Sequence, residues 1–121
     1  MARILIVDDS PTETYKFREV LEKHGYEVLE ASNGADGVAL AHAEKPDLVL
    51  MDVVMPGLNG FQATRQLTRS EETKDIPIVI VTTKDQETDR VWGKRQGAKD
   101  YLTKPVSEST LIETVVRWVG N

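Results

Sequence analysis

Three short runs in this chain, "RILIV" (3 to 7), "DLVLM" (47 to 51) and "IPIVIVT" (76 to 82), are almost continuously apolar and rich in β-branched residues. A strand with one solvated face alternates apolar and polar side chains, so unbroken runs of this length read as parallel strands covered on both faces. Two weaker runs, "YEVLE" (26 to 30) and "DYLT" (100 to 103), read as the outer strands. Helical patterns separate all of them. Such alternation predicts an α/β fold, a doubly wound five-stranded parallel sheet with helices on both sides and right-handed crossovers.

The helices have legible starts. "SPTE" (10 to 13) offers Ser10 as N-cap, Pro11 at the first helical position and Glu13 three residues on, the pattern of a capping box. Phe17, Val20, Leu21 and His24 then follow at i, i+3, i+4 and i+7, and Gly25 ends the helix. Asn33, Asn59 and Ser107 are the expected N-caps of the second, third and fifth helices. Leu111, Ile112, Val115, Val116 and Val119 form one stripe on the last helix. The fourth helix, about 86 to 96, has a weaker stripe through Val91, which leaves its outer face free for something other than core.

At 121 residues, with no linker, repeat or low-complexity segment, residues 1–121 are expected to form one domain. There is no cysteine, which excludes a disulfide framework or a thiolate metal site and fits a reducing compartment. No apolar stretch approaches the ~18 residues of a membrane span, so a cytoplasmic protein without membrane insertion is expected. The net charge is -5 and the fifteen Lys and Arg residues are spread out, so no nucleic-acid partner is expected.

In sheets of this type ligands sit at the carboxyl ends of the strands, near the switch point in strand order. Asp8 and Asp9 follow the first run, Asp52 the third, Thr82 and Thr83 end the fourth, and Lys104 follows the fifth. Asp52 is the most informative of these, because "LVLMDVVMP" sets one carboxylate inside an apolar run where no capping role explains it. Three neighbouring carboxylates cannot all stay ionised without a cation. A hard divalent ion with oxygen ligands, Mg²⁺ or Mn²⁺, resolves the conflict and leaves coordination sites for a phosphoryl oxygen. Phosphoryl transfer needs an in-line nucleophile and charge stabilisation on the equatorial oxygens. Asp52 can attack as a carboxylate, with the metal, Lys104 and Thr82 holding the three oxygens.

"ILIVDDS", "LVLMDVVMPGLNG", "IVIVTTKD" and "GAKDYLTKPV" together resemble the successive motifs of bacterial response-regulator receiver domains. The resemblance covers essentially the whole chain, and four motifs in order are far more specific than any one. It implies the flavodoxin/CheY-like (βα)5 fold with strand order 2-1-3-4-5. It further implies Asp52 as phosphoacceptor, taking its phosphoryl group from a phosphohistidine on a sensor histidine kinase of the CheA-like kind. Asp9, Asp52 and the Val54 backbone carbonyl match direct metal positions, and Asp8 one that acts through water. Thr82 and Lys104 match the residues that contact the phosphoryl group, and Lys104-Pro105 matches a cis peptide bond. Thr82 and Tyr101 match the switch residues that reshape the face of the fourth helix, fifth strand and fifth helix for a downstream protein target. Val54 and Lys84 match positions that border the water path to the phosphoryl group. "MARILIVDDSPTE", "MPGLNGFQATRQLT" and "VTTKDQETDRVWGKRQGAKDYLTKPV" are similar, more narrowly, to single-domain regulators of type IV pilus twitching motility.

Plainer readings exist for each residue. Asp8 and Asp9 can be helix-start acids, Thr82 and Thr83 strand-end residues, and Lys104 a solvated loop lysine; joint placement is what lifts them. Arg90 and Trp92 on the fourth helix suit a partner face, although a helical Trp is more often packing. His24 and His42 lack a second ligand at metal spacing. A Mg²⁺-dependent phosphatase would need a cap that the connections leave no room for. A flavin mononucleotide carrier would want a neutral phosphate loop where this chain has two acids, and the full acid set argues against a pseudo-receiver. The chain is therefore expected to be a phosphoacceptor rather than a turnover enzyme. Because it ends directly after the fifth helix, its output is expected to pass through protein partners.

Overall fold

A computed structural model describes residues 2–120. Strands β1 (Arg3–Val7), β2 (Glu27–Ala31), β3 (Leu48–Met51), β4 (Ile78–Thr82) and β5 (Asp100–Thr103) alternate with helices α1 (Pro11–Lys23), α2 (Gly34–Glu44), α3 (Gly60–Arg69), α4 (Glu87–Arg95) and α5 (Glu108–Val119). All pairings are parallel, in the order β2-β1-β3-β4-β5. The expected fold and strand order are therefore observed, and the two weaker runs are indeed the edges.

The period of two along each strand divides the core. Ile4, Ile6, Leu48, Leu50, Val79 and Val81 face one side and pack with Phe17 and Leu21 of α1 and Leu111 and Val115 of α5. Leu5, Val7, Val49, Met51 and Ile78 face the other, against Ala41 of α2 and Ala63 and Leu67 of α3. A smaller group, Val53, Phe61, Ile80, Ala98 and Tyr101, lies under the chain between β4 and β5.

Several local expectations need correction. β2 begins at Glu27, because the Tyr26 amide donates to the Leu21 carbonyl and still belongs to the end of α1. β3 begins at Leu48, Asp47 being occupied as acceptor of the Arg3 amide. β4 begins at Ile78, after a turn in which Ile76 donates to Thr73 and after Pro77, which has no N–H to give. His24 is the C-cap of α1 rather than part of its packing stripe, and Gly25 follows with φ 89°. The capping box of α1 is only half formed: the Ser10 side chain accepts from the Glu13 amide, but the Ser10 amide donates to Asp8 Oδ1. Asp8 displaces Glu13 from that amide. The reciprocal box occurs instead at α3, between Asn59 and Gln62, while Asn33 and Ser107 cap α2 and α5 as expected. Val91 is 46 % exposed and does not carry a core stripe on α4, whose buried residue is Gly93.

Candidate functional site

The chemistry-bearing residues are placed by the sheet itself. β1, β3 and β5 end one residue before Asp8, Asp52 and Lys104, and Thr82 is the last residue of β4. Ladder-like hydrogen bonds continue past the strand ends. The Asp8 amide donates to Ala31 O at 3.1 Å, that of Asp52 to Val7 O at 2.9 Å and that of Lys104 to Thr82 O at 2.8 Å. The three charged residues thus share the rigidity of the strands that present them.

Their side chains converge. Lys104 Nζ lies 2.7 Å from Asp8 Oδ2, 3.8 Å from Asp52 Oδ2 and 4.0 Å from Glu13 Oε1. Asp52 Oδ1 accepts from the Val53 amide at 2.8 Å. Asp8 and Asp52 are 5 % and 7 % exposed, so both carboxylates depend on these partners. Asp9 is exposed at the rim. Asp8, Asp9 and Asp52 each offer a carboxylate oxygen, all within 4.8 Å of one another.

Burial pushes the Asp52 carboxyl above the ordinary carboxylate range. The Lys104 ammonium opposes that rise, the Asp8 charge adds to it, and the Val53 N–H and Thr82 hydroxyl favour the ionised form. Three carboxylates against one ammonium leave negative charge uncompensated, which is the condition a divalent cation relieves. Magnesium holds oxygens at about 2.0–2.1 Å. The three carboxylate oxygens, within 4.8 Å of one another, are close enough to share one such ion.

Close backbone approach fixes the turn that follows Asp52. The Gly60 amide donates to Val53 O at 3.1 Å, and a Cβ on Gly60 would collide with the Asp52 carbonyl oxygen. Only glycine lets α3 start there. Val54 lies within this turn, and its side chain is 57 % exposed. Glu13 and Gly60 are site residues that sequence reasoning did not single out. Glu13 read as a cap, and nothing in one sequence distinguishes Gly60 from an ordinary helix-start glycine.

A second group lies beyond Thr82. Thr82 is fully buried, and its Oγ1 accepts from the Lys84 amide at 3.4 Å. The Tyr101 hydroxyl donates to the Lys84 carbonyl at 2.7 Å, and the Tyr101 ring is 5 % exposed. Burial, and after it the charge of Asp89, pushes the Tyr101 phenol up to about 12. Arg90 stands over this ring, 5.1 Å from its centroid, with its guanidinium donating to Tyr101 O and Thr103 Oγ1. Trp92 is 47 % exposed on the outer side of α4, beside Val91. The two residues expected on a partner face thus differ: Trp92 is open, and Arg90 is engaged within the chain. The Lys104-Pro105 bond is cis, as expected.

Comparisons with known proteins agree with this geometry. A family model described as "Response regulator receiver domain" matches residues 4–116. The chain is 76 % identical over 115 residues to Protein PilH of Pseudomonas aeruginosa, covering 95 % of each sequence. Among solved structures it is similar to the chemotaxis protein CheY4 of Vibrio cholerae, with TM-score 0.92, 33 % identity and 98 % of each chain covered. It is also similar to the receiver domain of sensor histidine kinase PA1611 of Pseudomonas aeruginosa, with TM-score 0.92 and 32 % identity, covering 99 % of this chain and 98 % of that one. That structure has a magnesium ion coordinated in its active site cleft.

Proposed function

From the premise that this chain belongs to the response regulator receiver domain family, we propose that it is a signalling switch controlled by phosphorylation of Asp52. Receiver domains bind Mg²⁺ at an acidic pocket and interact with histidine kinases and downstream targets. The finer assignment belongs to this chain's own residues. Asp52 Oδ2, the oxygen not held by the Val53 amide, attacks the phosphorus of a phosphohistidine. The phosphorus–nitrogen bond breaks with its electron pair leaving on the imidazole, and an acyl phosphate forms. Lys104 moves from its carboxylate partners toward the new phosphoryl oxygens, and the Thr82 hydroxyl approaches another.

Asp9, Asp52 and the Val54 carbonyl would hold a Mg²⁺ directly, with Asp8 acting through water. When bound, the metal offsets charge on the carboxylates and the transferring group. The kinase would be CheA-like, the setting the cytoplasm, and the pathway pilus-driven twitching motility, a reading supported by the 76 % identity to Protein PilH. The α4-β5-α5 surface would carry the signal to a protein target.

The observation that carries this reading is the buried Asp52 carboxylate within 3.8 Å of the Lys104 ammonium and inside the acidic cluster. Incubation with acetyl phosphate and Mg²⁺ should add one phosphoryl mass to the wild type and none to Asp52→Asn. A wild type that gains no mass, or a variant that gains it equally, contradicts the assignment.

A further inference from the structure

Arg90 has more structural work than a solvent-facing helix residue requires. It sits in the middle of α4, yet its guanidinium turns back across the sheet edge and reaches two nearby features of β5. One nitrogen donates to the Tyr101 carbonyl at 3.4 Å and another to Thr103 Oγ1 at 2.6 Å, while the carbon between them lies 5.1 Å from the Tyr101 ring centroid. A planar fork can bond two acceptors in fixed geometry while stacking over an aromatic face, an arrangement that the compact lysine ammonium does not reproduce.

One edge of the ring below lies against the α4 backbone at Gly93. A Cβ on Gly93 would come within 3.1 and 3.2 Å of Tyr101 Cδ2 and Cε2 and 2.9 Å of Ile80 Cδ1, so the absent side chain is the space the ring fills. The phenol hydroxyl is bonded to the Lys84 carbonyl. None of these contacts includes an atom of Asp52, Asp8 or Lys104.

We propose that Arg90 is a positioning residue that holds Tyr101 inward, so that the conformation of the α4-β5 face is set by Arg90 and Gly93 as well as by the acid site. This extends the reading of that face given above and assigns Arg90 to the interior of the switch rather than to the partner. Val91 and Trp92 of the same helix remain exposed.

The proposal is tested by NMR on the full chain in Mg²⁺-free buffer without a phosphodonor. The readout is the set of nuclear Overhauser contacts from the Tyr101 ring to Gly93 and Ile80. They should be strong in the wild type, lost in Arg90→Ala, and weakened in Arg90→Lys, which keeps the charge but not the fork. Thr103→Val, which removes one anchor and leaves Arg90 in place, should weaken them too and serves as a second route if Arg90→Ala folds poorly. Contacts unchanged in Arg90→Ala and Thr103→Val, or missing from the wild type, would overturn it. Mass addition from acetyl phosphate and Mg²⁺ should persist in Arg90→Ala, so failure of Asp52 chemistry and failure of the Arg90 role are read separately.

Discussion

Helices α1 and α4 flank the same sheet and are held to it by different means. α1 buries Thr14, Phe17 and Leu21 and shares an apolar layer with α5, whereas α4 buries Gly93 and is tied to β5 by a guanidinium. Moving α1 away would return that apolar area to water at about 25 cal/mol per Å² and forfeit its close packing, which holds the helix in place. Hydrogen bonds of about 0.5–1.5 kcal/mol net can be exchanged for others, so α4 is the more readily rearranged of the two helices. α4, with Gly93 as its buried residue, is the helix that the proposed function has responding to Asp52.

The largest test of this contrast is Leu21→Ala. Leu21 is fully buried, and its truncation should cost about 2–5 kcal/mol in urea unfolding. A smaller loss would mean that α1 is not anchored by packing. Gly93→Val should cost about 1–3 kcal/mol through overpacking and should also expel the Tyr101 ring, visible as loss of its contact with Ile80. Retention of the ring beside the introduced valine side chain would break the account of how α4 seats it.

A pH titration probes the same pocket. The Tyr101 phenol rises from the ordinary 10.0 to about 12, so the folded chain keeps that proton longer than the unfolded one. Stability from this group is therefore complete below 10.0 and lost as the pH climbs toward about 12. Ultraviolet difference spectra should show Tyr101→Phe lacking the last tyrosine to ionise. A Tyr101 that ionises near 10 would mean an open ring. The smallest effect is expected at Val91→Ala, within about 0.5 kcal/mol of wild type, because that side chain is already half exposed.

The contrast also marks where sequence reading succeeded. The parallel sheet and the packed helices followed from features that one sequence carries: unbroken apolar runs, caps at Asn33, Asn59 and Ser107, and stripes on α1 and α5; the strand order followed from the resemblance of four motifs to receiver domains. Asp8, Asp9, Asp52, Thr82 and Lys104 could be placed together because each follows or ends a strand, so topology supplied their proximity. What escaped depends on side-chain direction. Asp8 taking the Ser10 amide, Glu13 reaching toward Lys104, Arg90 folding back over Tyr101 and Val91 facing outward are choices among rotamers and helix phases. Gly60 and Gly93 escaped because their importance lies in the neighbour that a Cβ would strike.

Phosphorylation of Asp52 is expected to reach the helix held by polar contacts and to spare the one held by packing. Amide hydrogen exchange with Mg²⁺ and a beryllium fluoride mimic of the phosphoryl group tests it directly. Altered exchange is expected across residues 82–103 in the wild type, with little change in α1 and no response in Asp52→Asn. Exchange that shifts equally in α1 and α4, or that shifts in Asp52→Asn as it does in the wild type, would contradict it.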